Sequence, residues 1–264
     1  MVNSPEPTIG AGVASASILI GLAVGSFLNV CIHRLPKGAS IVWPGSRCPS
    51  CDLPIRWYDN LPLLSYLLLR GRCRECRTRL SWRYPLVEAI TGSLFFLTVW
   101  RFGLDLRSIV LLIFLCSLIV VAFIDLDHQI IPHAITLPGI PLGLIASVVT
   151  RDPSPRDAVA GTLVGAGLVY LIAVYAEVAF QRESMGGGDV NLLAMIGAFL
   201  GWRHALLSFF LAVGAGACLS VILVATRVLS RKDRIPFGPF LALGAVVSLF
   251  EGDAVIDWYW RLLR

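Results

Sequence analysis

Uncharged apolar runs recur along this chain, and nothing else in it constrains the fold as strongly. They fall at roughly 11–31, 85–100, 108–124, 134–150, 158–180, 190–202, 205–226 and 235–250. A bilayer core about 30 Å thick needs about 20 helical residues, so the first, fifth and seventh runs are long enough to span it. The sixth has only about 13 residues and must be short, tilted or partly re-entrant. Composition agrees: 56% of the residues are hydrophobic and only 15% are charged, against roughly a quarter charged in soluble domains. The expected fold is an all-α polytopic membrane protein with about eight transmembrane helices.

Orientation follows from where the basic residues lie. The net charge of +5 does not point to nucleic acid, because the cations gather in one loop. Residues 33–84 carry Arg34, Lys37, Arg47, Arg56, Arg70, Arg72, Arg74, Arg77, Arg79 and Arg83, against Asp52, Asp59 and Glu75. The positive-inside rule puts this loop in the cytoplasm. Counting spans from there makes 125–133, 181–189 and 227–234 cytoplasmic turns, and the last of these is itself basic (Arg227, Arg231, Lys232, Arg234). The amino terminus and the acidic tail (Glu251, Asp253, Asp257) fall outside. The run at 11–31 lacks a preceding basic region and flows into NVCIHRLP, so it is read as a permanent first span rather than a cleaved signal. The spacing of Gly161 and Gly165 suits close helix packing. The expected organisation is a first span at 1–31, a cytoplasmic loop at 32–84 and a membrane domain at 85–264.

That loop holds four of the seven cysteines, as CPSC at 48–51 and CREC at 73–76. Two C-x2-C knuckles can surround one tetrahedral ion, and the spacing resembles a zinc ribbon. A reducing compartment keeps such thiols free for metal. A loop of about 50 residues has little core of its own, so a metal staple makes physical sense. The alternative is a pair of redox disulfides or four unconnected thiols. Cys31, Cys116 and Cys218 lie in apolar runs and are expected to be small buried hydrophobes. Trp43, Trp57, Tyr58 and Trp82 would suit a loop lying against headgroups.

Few acids adjoin the apolar runs: Glu88, Asp125, Asp127, Glu177, Asp189 and Asp233. FIDLDHQIIPHAITLP ends the third run with Asp125 and Asp127, and MGGGDV opens the sixth with Asp189. The topology places them on one side of the membrane. Two carboxylates brought together from separate helix ends cannot both ionise easily, so one keeps its proton while the other acts as base. Such a pair can activate water against a peptide carbonyl. Gly186, Gly187 and Gly188 would then let a substrate backbone approach and would permit positive φ. Two alternatives stay open: Asp189 as a simple helix N-cap, and Asp127 rather than Asp125 as its partner. Glu88 and Glu177 are expected to be packing or interfacial hydrogen-bond groups.

GSFLNVCIHRLP, CPSC, DNLPLLSYLLLRGRCREC, RYPLVE, FIDLDHQIIP and GGGDVNLLAMIGAFLGW occur in the order seen in bacterial type IV prepilin peptidases (leader peptidase / N-methyltransferase). The chain resembles that family over roughly residues 21–250. The GxGD element alone would say less, since presenilin-type intramembrane aspartyl proteases share it. The resemblance implies a bifunctional inner-membrane enzyme with its active site and zinc loop on the cytoplasmic side. It would cut the basic leader of type IV prepilins or type II secretion pseudopilins after a glycine, then methylate the new amino terminus with S-adenosylmethionine. The family's catalytic aspartates fall on Asp125 and Asp189, its zinc cysteines on Cys48, Cys51, Cys73 and Cys76, and a methylation-linked glycine on Gly71. Where many members have Asp or Asn after the IP, this chain has His133.

A polytopic proton- or cation-coupled transporter is the rival class. It would call for inverted repeats and helices broken near midplane, whereas these acids sit at helix ends. A scaffold docking a partner through the loop leaves GGGD without a use. Within the family, a peptidase lacking methyltransferase activity is the alternative.

Overall fold

A computed structural model of the protein describes residues 11–48, 50–180, 186–228 and 235–263. Among these residues the chain is helical, with no strand and two isolated β-bridges in the loop. The order is α1 (Ala11–Arg34), α2 (Leu64–Leu68), α3 (Arg83–Phe102), α4 (Leu106–His128), α5 (His133–Thr150), α6 (Pro155–Phe180), α7 (Gly187–Ala225) and α8 (Gly238–Leu262). Six of these, α1 and α4 to α8, are long and apolar enough to cross a membrane. α3 covers the expected run at 85–100 but is not among the six. The expected sixth and seventh runs are joined in α7. Side chains such as Leu19, Leu163, Tyr175 and Val178 are exposed on these helices, as lipid-facing positions would be.

The chain forms two compact units, one up to Val120 and the other from Val121 onward. This is a different cut from the membrane-versus-loop division drawn from sequence. In the first unit α1 packs on α3 through missing side chains. A Cβ at Gly21 would lie 2.8 Å from the Gly92 Cα, and one at Gly25 would lie 2.7 Å from the Glu88 Cα. Such approach lets dispersion replace the hydrophobic drive that lipid cannot supply.

In the second unit α7 is the central element. At 39 residues it would be about 58 Å long if straight, nearly twice a bilayer core. It is broken at Gly201, whose φ of 80° and ψ of 171° lie outside the helical region. The segment before the break is buried continuously from Leu192 to Gly201. That burial accounts for a run both short and apolar all round: its faces meet protein. Gly161 and Gly165 of α6 make the contact expected of them. Cβ atoms there would lie 2.4 Å from the Gly197 carbonyl oxygen and 2.6 Å from that of Leu193.

α8 carries Glu251, Asp253 and Asp257 as far as Leu262, and Asp253 pairs with His204 at 3.6 Å. One expectation needs correction. Of the three apolar-run cysteines only Cys31 is buried, while Cys116 is half-buried and Cys218 is exposed. A small, weakly polar thiol is tolerated on an outward face of a membrane helix as readily as in a core. Asp233, Arg231, Lys232, Arg234 and Met185 lie outside the described residues.

Candidate active site and cysteine cluster

Asp125 sits in the last turn of α4 and is only 5% exposed. Its Oδ2 accepts a 2.8 Å hydrogen bond from the backbone N–H of Gly238, the first residue of α8. Asp189 lies in the first turn of α7, next to Gly188, which packs against Ile131 three residues past the end of α4. The start of α7 therefore lies beside the turn that follows the helix carrying Asp125, within the second unit. Asp127, two residues past Asp125, is exposed. Glu177 is exposed on α6.

The N-cap of α7 is Gly186, and no side chain caps it. Asp189 is therefore three residues inside the helix, where a carboxylate complements the dipole without capping. The capping alternative does not describe it. Nor do the glycines use positive φ: Gly186 has φ −74°, and none of the three is in the left-handed region. They divide into two kinds. A Cβ at Gly188 would lie 2.7 Å from the Ile131 Cβ, so this glycine lets the turn after α4 pack against the start of α7. Among the described residues, a Cβ at Gly187 would meet nothing within 4 Å and one at Gly186 only the Gly188 nitrogen at 4.0 Å. His133, at the start of α5, ties the same corner together through a 3.1 Å hydrogen bond between its Nδ1 and Asn191 Nδ2.

The residue that sequence reasoning missed is Gly238. A Cβ there would lie 2.8 Å from Asp125 Oδ2 and 3.2 Å from its Cβ and Cγ. The available signal was PFGPF at the lip of the last apolar run, where a glycine between prolines and aromatics marks a tight approach.

In the first unit the two C-x2-C segments fold alike. Cys48 N–H donates to the Leu53 carbonyl (3.0 Å) and Asp52 N–H to the Cys48 carbonyl (2.9 Å). Cys73 N–H likewise donates to Thr78 (2.9 Å) and Arg77 N–H to Cys73 (3.1 Å). Asp52 and Arg77, each four residues past the first cysteine, both have positive φ, at 53° and 56°. The knuckles face each other, and all four sulfurs lie within 4.8 Å of one another, so they could hold one metal ion. Cys48 Sγ and Cys76 Sγ are 3.7 Å apart. A tetrahedron with Zn–S bonds of about 2.3 Å has edges of about 3.8 Å, so the donor set fits zinc. Thr78, its hydroxyl oxygen 3.4 Å from the sulfur, pulls the Cys76 thiol down to about 6. At Cys51 the Leu53 N–H acts in the same direction, but burial and the three neighbouring thiols push it up to about 12. Four thiolates this close need a cation between them.

Arg74, inside the second knuckle, grips Asp59 with Nε at 2.8 Å and 3.0 Å from the two carboxylate oxygens and Nη2 at 2.5 Å. This fork holds the Asp59 carboxyl below the usual range and ties the cluster to the rest of the loop. Trp43 and Trp82 are exposed, at 78% and 65%. Gly71 has φ +64°, and a Cβ on it would lie 2.9 Å from the Tyr66 ring.

Residues 19–102 match the bacterial peptidase A24 N-terminal domain, and residues 112–221 match the type IV leader peptidase family. The chain belongs to that family. It is 36% identical to a prepilin leader peptidase/N-methyltransferase of Stutzerimonas stutzeri over 94% of both chains. It is 36% identical to one of Pseudomonas aeruginosa over 92% of both. A Myxococcus xanthus protein of the same name is 44% identical over 78% of this chain and 62% of its own. No solved structure matches. The family boundary between the two matched segments, at 102–112, falls at the start of α4, close to where the compact units part.

Proposed function

We propose that this chain removes the leader of prepilins or type II secretion pseudopilins by means of Asp125 and Asp189, and then methylates the new amino terminus. What supports the reading is the placing of an aspartate at the end of α4 and another at the start of α7, two helix ends that the Gly188–Ile131 contact brings side by side. One is buried and held by a backbone N–H; the other follows Gly186 and Gly187, which have no side chain near them among the described residues. In the reaction the ionised carboxylate takes a proton from water as that water attacks the scissile carbonyl. The protonated partner donates to the carbonyl oxygen, and its proton passes on to the leaving amine. Sharing one proton is what two close carboxylates do most cheaply.

A substrate leader rich in Lys and Arg stays cytoplasmic by the same rule that orients the 33–84 loop, while its apolar stem inserts. The scissile bond would then sit at the cytoplasmic face of the inner membrane. Cys48, Cys51, Cys73 and Cys76 would hold a structural zinc, closed to substrate because all four positions are protein ligands. S-adenosylmethionine, when bound, supplies an electrophilic methyl on sulfur. The new amine, once neutral, is the nucleophile, and its displaced proton leaves to water.

The dyad is tested by Asp125→Asn, Asp189→Asn and Asp127→Asn in purified protein acting on a prepilin. The first two should abolish cleavage without loss of bound metal, and the third should keep substantial activity. A dead Asp127→Asn with an active Asp125→Asn would reverse the assignment.

A further inference from the structure

The first unit contains a cavity of about 180 Å³ bounded by α1, by α2 with its flanking turns, and by the start of α3. A cavity of about 150 Å³ is enough to admit a benzene ring, so this one seats a flat ring with its first polar attachments. Its walls are mostly apolar, including Leu63, Leu69 and Leu80. Leu61 and Tyr84 on its rim are 42% and 39% exposed, so it opens outward. A few polar groups converge on it, which is the pattern of a small-ligand site.

Those polar groups are fixed in place. Glu88 is 8% exposed, and its Oε2 accepts a 2.8 Å bond from Leu63 N–H. Leu63 is a non-glycine residue with φ 56°; the Glu88 contact thus helps hold a strained turn at the entrance to α2. Asn29 donates from Nδ2 to the carbonyls of Gly25 (3.3 Å) and Tyr84 (3.1 Å). Arg34 donates to the carbonyls of Ser40 and Gly45. Tyr66 OH donates to the Leu80 carbonyl at 3.3 Å, which pins its ring as part of the wall.

Tyr66 connects this cavity to Gly71. The space a Gly71 side chain would need is taken by the Tyr66 ring, with Cζ and the hydroxyl oxygen 2.9 Å from the Cβ position. Any residue but glycine at 71 would displace a cavity wall. Two carboxylates (Asp59, Glu88), two arginines (Arg34, Arg47), His33, two amides and two tyrosine rings around an apolar slot also match a particular ligand chemistry: a purine ring joined to an amino acid that carries both a carboxylate and cationic groups. The dyad in the second unit needs no such pocket.

We propose that this cavity seats the adenosyl part of S-adenosylmethionine, with Tyr66 as the aromatic platform and Glu88 as the fixed acceptor. The inference rests on the methylation reading given above. It places the donor on this chain's α1–α3 face and makes Gly71 a guardian of the cavity wall rather than a contact to substrate.

Direct ultraviolet crosslinking of tritiated S-adenosylmethionine to the purified full chain, followed by peptide mapping, tests the location. Label should appear within residues 26–34, 61–71 or 80–88 and should be blocked by S-adenosylhomocysteine. Titration calorimetry with S-adenosylhomocysteine tests the residues. Tyr66→Ala should weaken binding about tenfold, the loss expected when an aromatic platform under a base is removed. Gly71→Leu should do the same, and the milder Glu88→Gln should weaken it measurably even if the other two fold poorly. Bound metal is the folding control for all three. Label mapping to residues 112–221, or wild-type affinity in all three variants, overturns the cavity while leaving methylation standing. No S-adenosylhomocysteine binding by the wild-type protein, together with an unmethylated product, overturns both.

Discussion

Replacing Gly238 by alanine should disable cleavage, although helix propensity alone would favour the change. Alanine is better than glycine inside a helix by about 1 kcal/mol, and position 238 is the first of α8. Against that stands the added methyl, 2.8 Å from Asp125 Oδ2 and 3.2 Å from Cγ. Carbon–oxygen contacts settle nearer about 3.4 Å, so carboxylate and helix start must part by about 0.5 Å. Asp125 has 5% of its surface exposed and little room to retreat. Forced overpacking of this kind costs about 1–3 kcal/mol, enough to cancel the propensity gain. The larger effect is on rate. Displacement stretches the 2.8 Å N–H···Oδ2 bond and swings the carboxylate off the water it must activate. A misplacement of about 1 Å can cost about a hundredfold, so kcat should fall about ten- to a hundredfold with KM little changed. Steady-state cleavage of a synthetic prepilin across pH is the assay. The pH–rate limbs report the coupled carboxylates, and weakening the bond from the donor to one of them should move those limbs as well as lower the plateau. An alanine variant with wild-type kcat and an unmoved profile would refute the positioning role.

Purified protein should carry about one zinc per chain, and Cys48→Ser or Cys73→Ser should lower metal content and speed proteolysis of residues 33–84; a metal-free preparation with a protease-resistant loop would refute the staple. Acid should loosen the same loop. The Asp59 carboxyl is held below its ordinary value by Arg74, so the pair's stabilisation is complete above about pH 4 and is lost as pH falls through the lower folded value. Asp59→Asn should remove this acid sensitivity, read as protease resistance against pH, and an unchanged profile would show that the fork is not what responds. Gly188→Leu should uncouple the start of α7 from the turn after α4, because its side chain would need the space of Ile131; cleavage should fall sharply, whereas Gly187→Ala, facing open space, should cost much less.

How much of this was legible in the sequence depends on whether a signal is carried by side-chain type or by approach of backbone. Apolar runs marked most of the helices within a few residues, because lipid demands continuous apolar character whatever the packing; they missed the joining of two runs in α7 and the extension of α8 to Leu262. The cysteines and the two aspartates stood out because thiols at x2 spacing and acids at the end of an apolar run are rare. The corrections have a common physical source. Asp189 looked like a cap because Asp caps helices, but glycine also serves at that position, and the cap here, Gly186, lies three residues earlier. The glycines of GGGD suggested positive φ, yet they supply closeness at Gly188 and openness at Gly186 and Gly187. In the loop, positive φ falls on Gly38 and Gly71 but also on Asp52, Leu63, Arg70 and Arg77, and leucine and arginine are residues that composition would not select. Gly238 reaches Asp125 across 113 positions with a backbone donor that has no side chain to announce it. In a membrane helix bundle, where small residues set the distance between backbones, the groups that orient an active site are therefore the ones a residue-by-residue reading sees last. Gly238 beside Asp125 and Gly71 behind Tyr66 are two cases of the same device: a missing side chain that fixes where a functional one can stand.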